Sequence, residues 1–236
     1  MLPKISYPTF SIKVPPENKE YSFRPMLVKE EKLLLMAKAS DDIADILSSL
    51  KQVVNNCSED PTFDVDKLSL FALEYVFLKL RGASIGDVIK VSYRDYEDDK
   101  VYDFNIPLSK VEIQYPEKVS NKIEITPTAG LILKYPAATL YDDKEFLKTV
   151  GDDSFYKLIA RCIDKVYDND NVYEAKDMEQ RDIDEFVELW DIKSFENIKN
   201  FLSNVPKLYF KIQYTNEKGN KREIELTSLT DFFTLR

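Results

Sequence analysis

The sequence contains no histidine among its 236 residues. Triads with an imidazole base, histidine-containing metal sites and imidazole proton shuttles are therefore excluded. Glycine occurs only five times, and its positions form neither G-x-G-x-x-G nor G-x-x-x-x-G-K. The usual glycine-rich phosphate loops are excluded for that reason. Because few catalytic groups remain, we expect a protein that has no enzymatic activity and no cofactor.

Cysteine and long apolar runs are also scarce. Cys57 and Cys162 are far apart, and neither belongs to a C-x-x-C pair. Two isolated cysteines do not make a disulfide framework, so we expect a reducing compartment. No run approaches the ~20 apolar residues of a membrane span, and the first residues lack the apolar core of a signal peptide. We therefore expect the protein to remain where it is made.

Positive charge is outnumbered over the chain as a whole, with 33 Lys and Arg residues against 42 Asp and Glu residues. The net charge is −9 and the pI is near 4.8, which argues against binding to a nucleic acid backbone. Residues 164–191 contain 11 acidic and 3 basic residues, so this stretch alone carries a net charge of −8. One interpretation is an acidic patch for a basic partner. The other is a solvated linker and helix face, which we favour because charge runs are usually just solvated.

The hydrophobic pattern predicts an α+β fold of helical segments, two similar antiparallel hairpins and an additional small antiparallel sheet. Strand runs and helix runs are segregated along the chain, which argues against a doubly wound parallel sheet. We expect an N-terminal arm (1–20), a helical part with the first hairpin and sheet (21–150), and a helical part with the C-terminal hairpin (151–236). Helices are predicted at 28–39, 42–54, 65–80, 155–166, 182–190 and 194–202, and strands at 9–14, 21–24, 87–93, 101–107, 122–126, 131–135, 207–214 and 221–226.

The two clearest hairpins resemble each other. Residues 89–93 (IKVSY) match residues 210–214 (FKIQY) at an offset of 121, and the second arms match at 120. A distant duplication would explain the match, and so would pairing of the two hairpins in space. Alternating hairpins also resemble each other by construction, so the match is weak evidence. Duplication and spatial pairing both stay open.

Acidic residues crowd the first hairpin. Oxygen clusters of this kind suit hard cations, but a polar turn in water explains them more simply. A carboxylate-based metal-dependent hydrolase is one alternative function, and it requires acidic side chains that converge in one pocket. An acidic decoy for a basic host protein is another, and it requires a regular stripe of carboxylates beyond residues 164–191. The crowded residues are Asp95, Glu97, Asp98, Asp99 and Asp103.

Three stretches carry a family resemblance. They are residues 23–37 (FRPMLVKEEKLLLMA), preceded by Pro3-Lys4-Ile5 and Pro8-Thr9, residues 74–86 (EYVFLKLRGASIG) and residues 229–233 (LTDFF). In this order they resemble the baseplate hub assembly proteins of T-even-like contractile-tailed phages, especially marine relatives. The resemblance implies a non-enzymatic hub assembly factor or hub-associated subunit. It also implies phage hub or tail proteins as partners, with the host cytoplasm and the virion baseplate as locations.

One departure from the resemblance concerns the hairpin turns. Relatives often carry Cys-x-x-Cys there, which suggests a zinc knuckle. The matching positions in this sequence are Tyr93 with Tyr96 and Tyr214 with Glu217, so a thiolate site cannot form. We expect packing to hold the two hairpins together, with the tyrosines taking part.

The resemblance also indicates where partners bind. The first prediction is the contact set Phe23, Arg24, Lys29, Glu30, Glu31 and Lys32. The guanidinium group of Arg24 can donate hydrogen bonds to a carboxylate or a carbonyl oxygen of a partner. The alternative is an internal salt bridge with Glu30 or Glu31. The second prediction is the exit of the third helix, at Leu78, Arg81 and Gly82, where plain core is the alternative for the apolar positions.

Overall fold

The computed structural model describes residues 6–40, 42–117, 119–149 and 151–233, and only the backbone of Asp152 and Phe233. Residues 1–5 of the predicted arm lie outside this part, including Pro3-Lys4-Ile5. The described chain forms two compact units. The first comprises residues up to 65, 71–114 and 206 onward, and the second comprises 66–70 and 115–205. The predicted boundaries at residues 20 and 150 stay a prediction about independently folding parts.

The fold is α+β, as the sequence predicts. Its sheets are small and antiparallel, with strand orders β1-β2, β3-β4, β11-β10-β5 and β6-β7-β8-β9. The strands are β1 Phe10–Val14, β2 Lys19–Phe23, β3 Val88–Asp95, β4 Lys100–Pro107, β5 Glu112–Gln114, β6 Lys122–Glu124, β7 Ala129–Leu133, β8 Ile163–Asp168, β9 Asn171–Glu174, β10 Lys207–Thr215 and β11 Lys221–Leu226. The helices are α1 Val28–Ser40, α2 Ile43–Cys57, α3 Leu70–Ile85, α4 Lys144–Leu147, α5 Asp152–Cys162, α6 Gln180–Val187, α7 Ile192–Ser203 and α8 Leu229–Phe233. Among the described residues, no helix is long and apolar enough to cross a membrane.

The N-terminal hairpin is fastened to the end of α2. Arg24 donates its backbone N–H to the carbonyl oxygen of Cys57 at 2.9 Å, and Glu59 donates its own to Ser22 at 2.9 Å. Helix α2 begins at an N-cap, where the carboxylate of Asp42 accepts the N–H of Ala44 at 2.8 Å. These contacts fix the chain at residues 22–27, just before α1.

Helix α3 differs from its prediction at both ends. Residues 65–67 form a single 3-10 turn, and α3 itself begins at Leu70. The predicted end at residue 80 is wrong, because the helix continues to Ile85 and is followed by Gly86, whose φ is +149°. Gly82 lies inside the helix, where a side chain would come within 3.4 Å of Cβ of Leu108. A methyl group at residue 82 would therefore make ordinary van der Waals contact with the 3-10 turn at residues 108–110.

The second unit packs α5, α6 and α7 against the β6-β7-β8-β9 sheet. The helix predicted for residues 155–166 ends at Cys162, and the chain enters β8 at once. This strand was missed because its pairing with β7 is non-local, and an apolar run of this length does not distinguish strand from helix. Gly130 of β7 lies opposite Tyr167 of β8, and a Cβ at residue 130 would be 2.6 Å from Cζ of that tyrosine. The tyrosine ring covers the glycine and fixes the register of the two strands.

Candidate functional site

The two similar hairpins meet at their turns, within the first unit. Asp95 ends β3 with a fully buried side chain, and its Oδ2 accepts a hydrogen bond of 2.7 Å from the hydroxyl of Tyr214 on β10. The same oxygen lies 3.2 Å from Nε of Arg222 on β11. The other oxygen, Oδ1, accepts the backbone N–H of Glu97 at 2.9 Å. Asp95 therefore joins both strands of the second hairpin to the turn of the first.

Two further carboxylates of the first turn accept donors from the second hairpin. Glu97 accepts one hydrogen bond from the side-chain amide of Asn216 and one from that of Asn220, each 2.6 Å long. Asp98 accepts the backbone N–H of Glu217 at 3.1 Å. We call this set the hairpin interface: Asp95, Glu97, Asp98, Tyr102, Phe104, Tyr214, Asn216, Glu217, Asn220 and Arg222.

Aromatic packing closes the hairpin interface. The ring of Tyr214 lies 4.9 Å from the ring of Tyr102 and 5.2 Å from that of Phe104, measured between centroids. Burial raises the pKa of Tyr214 to about 12, and its hydrogen bond to Asp95 adds to this rise. Burial alone would raise the pKa of Asp95, but the Glu97 N–H, the Tyr214 hydroxyl and the Arg222 charge hold it below its usual value. Asp95 is therefore charged at neutral pH, as an acceptor of several hydrogen bonds should be.

The predicted proximity of the two hairpins is confirmed by these contacts. The four positions that replace the zinc-knuckle cysteines have different surroundings. Tyr214 lies within the hairpin interface, and Glu217 contributes its backbone N–H to it. Tyr93 is half-buried and lines a groove of about 290 Å³ beside the interface, whereas Tyr96 is 79% exposed. A charged hydrogen-bond network therefore joins the two turns.

The remaining acidic residues of the first hairpin form separate local ion pairs. Asp99 pairs with Arg94 at 2.7 Å, and Asp103 pairs with Lys90 at 2.7 Å. Within the described part of the chain, no group of three or more acidic or cysteine side chains is arranged to hold a metal ion. The acidic residues of the first hairpin therefore accept hydrogen bonds from the second hairpin or form ion pairs within their own hairpin.

A second charged cluster lies where the chain enters α1. Nη2 of Arg24 lies 3.0 Å from Oε1 of Glu30, which is fully buried, and donates to the carbonyl oxygen of Asn56 at 2.7 Å. The other carboxylate oxygen of Glu30 accepts the N–H of Leu27 at 2.8 Å. Burial would raise the pKa of Glu30, but the Arg24 guanidinium and the Leu27 N–H hold it below its usual value. The internal salt bridge, left open from the sequence, is therefore the one that forms.

Helix α3 carries two polar anchors that the sequence analysis missed. Nζ of Lys79 donates to three carbonyl oxygens, those of Leu108 at 2.9 Å, Ser109 at 2.8 Å and Val111 at 2.7 Å. The hydroxyl of Ser84 accepts the N–H of Met26 at 2.9 Å. The available signal was the position of Lys79 between Leu78 and Leu80, because an ammonium group among apolar neighbours must find several acceptors.

The three stretches that carry the family resemblance come together in the first unit. Met26 of the first contacts Ser84 of the second, and Glu74 of the second interacts electrostatically with Asp231 of the third. Burial raises the pKa of Glu74 to about 7, and the Asp231 charge contributes to this rise. Residues 7–234 match the family model described as T4 bacteriophage base plate protein.

The chain belongs to this baseplate family. No curated protein and no solved structure matches it. The family match covers nearly the whole chain, so the baseplate assignment applies to both compact units.

Some residues predicted to contact partners have no exposed side chain in this baseplate protein. Phe23, Glu30 and Leu78 are each 0% exposed. Phe23 packs edge-on against Phe63 at 5.2 Å, and Glu30 neutralises Arg24. These side chains hold the fold together. Their role in partner binding stays a prediction.

The other predicted contact residues are accessible. Lys29, Glu31 and Lys32 are exposed on α1, and Arg81 and Gly82 are half-exposed on α3. Their role in partner binding stays a prediction.

Helix α1 also exposes large apolar side chains, which the sequence analysis did not single out. Val28 is 85% exposed, Leu35 60% and Met36 63%. The opposite side of the helix carries the buried residues Glu30 and Ala37. We define the outer α1 face as Val28, Lys29, Glu31, Lys32, Leu35, Met36, Lys38 and Ala39, all of them exposed. The available signal was that α1 has apolar residues on two opposite sides, which predicts that a partner covers the side that does not face the core.

The acidic stretch at residues 164–191 lies in the second unit and is partly used there. Glu174 pairs with Lys165 across β8 and β9 at 2.7 Å, and Asp184 pairs with Arg161 at 2.7 Å. Asp191 caps α7 by accepting the N–H of Ser194 at 2.9 Å. These three carboxylates stabilise local structure, and others, such as Asp168 and Asp170, are exposed.

Proposed function

We propose that this baseplate protein acts through protein–protein contacts, without catalysis, as a hub assembly factor or as a hub-associated subunit. Its partners would be phage hub or tail proteins, met in the host cytoplasm during assembly or in the virion baseplate. The observation that carries the proposal is the outer α1 face, whose exposed aliphatic side chains lie within the most family-specific stretch. Exposed apolar patches framed by charges are typical of protein contact sites.

The charged clusters support a scaffold role. The carboxylates of the hairpin interface and Glu30 all accept protein donors, and these contacts fasten distant segments to one another. A buried charge satisfied in this way favours one arrangement of the chain. No specific observation favours the hydrolase or the decoy alternative, so neither is carried further. The net charge of −9 is also more compatible with protein partners than with nucleic acid.

Quantitative mass spectrometry of purified particles and of infected-cell lysate tests the proposal. A fixed ratio to hub proteins in particles would identify a hub-associated subunit. Abundance in lysate together with absence from particles would identify an assembly factor. Absence from particles and from every hub subassembly isolated from lysate would overturn the proposal.

The second predicted contact site consists of Leu78, Arg81 and Gly82 on α3, and we call it the α3 exit. It offers a separate test of partner binding. Arg81→Glu reverses a charge at a half-exposed position, and Lys110→Glu makes the same change on the nearby exposed 3-10 turn. If the α3 exit contacts a hub protein, Arg81→Glu should reduce recovery in hub subassemblies several-fold, whereas Lys110→Glu should not. Equal recovery of both variants would remove the α3 exit from the proposed contact set.

A further inference from the structure

The outer α1 face carries a pattern that is typical of a helix–helix contact. Val28, Lys32, Leu35 and Ala39 follow one another at spacings of four, three and four residues. This alternation places them in one line along a helix, as the a and d positions of a coiled coil are placed. The four side chains are exposed, with Val28 at 85% and Leu35 at 60%. The line therefore lacks a cover within the described part of the chain.

The charges that flank this line are self-complementary. Glu31 and Lys38 are seven residues apart and lie on the same side of the line, while Lys29 and Met36 lie on the other side. Within the described residues, neither Glu31 nor Lys38 forms an ion pair. When two such helices pack antiparallel, the side that carries Glu31 and Lys38 on one helix faces the same side of the other helix. Glu31 then faces Lys38 of the second helix, and Lys38 faces its Glu31.

We infer that the occupant of the outer α1 face is a second copy of this chain, bound antiparallel about a twofold axis. Val28 lies against Ala39 of the second copy, and Lys32 lies against Leu35 of the second copy. Every contact occurs twice, as it must in an isologous interface. This inference rests on the proposed function, because it names the partner of the outer α1 face as a second copy of this chain. The α3 exit is then the surface that remains for a hub protein.

The charges also select against the parallel arrangement. Parallel helices would place Lys32 directly beside Lys32 of the second copy, so that two like charges would oppose each other in the line. The same arrangement would place Glu31 beside Met36 and would form no ion pair across the flank. Antiparallel packing removes the repulsion and forms two ion pairs. A lysine in the line weakens the contact and specifies its register.

The size of α1 indicates a weak dimer. Its 13 residues extend about 20 Å. A single helix pair of this length buries less than the ~800 Å² per partner of a standard interface. We therefore expect a monomer–dimer equilibrium that depends on concentration, and a dimer that additional contacts in an assembled baseplate would stabilise.

Sedimentation velocity of the full chain over a wide concentration range tests the inference. The wild type should shift from monomer to dimer as its concentration rises. Leu35→Lys should leave only monomer, because it would place a second ammonium group against Lys32 of the second copy, twice in each dimer. Val172→Lys is the matched control, since Val172 is also 60% exposed but lies on β9. Circular dichroism and urea unfolding would establish that both variants are folded.

A charge-swap series keeps the test specific. Glu31→Lys and Lys38→Glu should each weaken dimerisation about tenfold, because each change converts two attractive pairs into two repulsive ones. The double variant, Glu31→Lys with Lys38→Glu, should restore dimerisation to nearly the wild-type level. A double variant that stays as weak as the single variants would overturn the antiparallel register.

Cysteine cross-linking separates the two orientations. Residues 28 and 39 are about 16 Å apart along one helix, beyond the ~7 Å Cα distance that a disulfide can span. A mixture of Val28→Cys chains and Ala39→Cys chains should therefore cross-link, whereas Val28→Cys alone should not. Cys57 and Cys162 are both buried and should not compete.

The outcomes distinguish this inference from the proposed function. Rapid cross-linking of Val28→Cys to itself, or a wild type that stays monomeric at every concentration, overturns the inference. If that monomer is nevertheless found in particles or hub subassemblies, the proposed function stands alone. A dimer that enters neither leaves the helix contact in place and overturns the proposed function.

Discussion

The hydroxyl of Tyr214 donates a hydrogen bond of 2.7 Å to the carboxylate of Asp95, which lies 119 positions earlier in the chain. The two residues belong to different hairpins, and their contact is the centre of the hairpin interface. The connection between the two hairpins consists of a buried carboxylate, two tyrosine rings in tilted contact, and amide donors.

Removing the Asp95 carboxylate should loosen the two hairpins. Asp95→Ala leaves the hydroxyl of Tyr214, the amide of Asn216 and the guanidinium of Arg222 without their shared acceptor, and unsatisfied donors in a buried site are costly. We expect a clear drop in the urea midpoint and faster hydrogen exchange in β10 and β11. Asp99→Ala is the control, because Asp99 is exposed and pairs only locally with Arg94. Equal effects of the two changes would argue against a central role for Asp95.

The pH dependence of Asp95 has a defined sign. Its folded-state pKa lies below the ordinary 3.8, so its contribution to the free energy of unfolding is complete above that pH. The contribution is lost as the pH falls through the folded-state value. Wild-type protein should therefore lose stability in acid more steeply than Asp95→Asn, in urea unfolding measured from neutral pH downward. Identical acid profiles would contradict the prediction.

Glu74 should give the opposite pH dependence. Its pKa rises from 4.5 to about 7 in the folded protein, because burial and the Asp231 charge disfavour the carboxylate. The folded state binds the proton more tightly, so stability should fall as the pH rises from about 4.5 to 7, by about 3 kcal/mol in all. Glu74→Gln should be about as stable as wild type at pH 5 and more stable at pH 8.

Urea unfolding at both pH values measures this effect. Glu188→Gln, at an exposed position, is the control and should not change the difference between pH 5 and pH 8. A Glu74→Gln variant that is less stable than wild type at pH 8 would show that the charged form is favoured by its surroundings.

Breaking the salt bridge that enters α1 should destabilise the first unit. Glu30→Ala leaves Arg24 partly buried without its carboxylate, which typically costs about 3 kcal/mol. Glu31→Ala, at the next and exposed position, should change the free energy of unfolding by less than about 0.5 kcal/mol. The double variant Arg24→Met with Glu30→Met should recover much of the loss, because it leaves no unpaired buried charge. A loss in the double variant equal to the sum of the single losses would contradict this account.

Gly130 and Gly82 should respond differently to the same substitution. Gly130→Ala places a Cβ into the carbonyl oxygen of Ile123 and the ring of Tyr167, so we expect a loss of about 1–3 kcal/mol. Gly82→Ala places its Cβ 3.4 Å from Cβ of Leu108, within a helix that alanine favours over glycine. It should be neutral or slightly stabilising. Thermal unfolding of both variants measures the contrast, and a tolerated Gly130→Ala would mean that β7 and β8 can shift.

Local patterns predicted most of the helices and hairpins. The hydrophobic pattern predicts α2, β10 and β11 close to their observed bounds. Strand β8 is not predicted by the local pattern, and the predicted end of α3 at residue 80 falls short of Ile85. The error at β8 has a physical reason, because its pairing with β7 joins segments far apart in the chain. A local pattern does not contain that partner strand.

The sequence by itself determined the chemical range of this protein. The absence of histidine and the scarcity of glycine removed whole classes of site, and three short stretches indicated the baseplate family. Only the tertiary structure decided how the charged residues are used. Glu30 and Glu31 are adjacent and identical in type, yet one is buried against Arg24 and the other is exposed. The difference in their burial depends on which side of α1 faces the core. Residues far away in the chain pack against that side, so the local sequence does not reveal it.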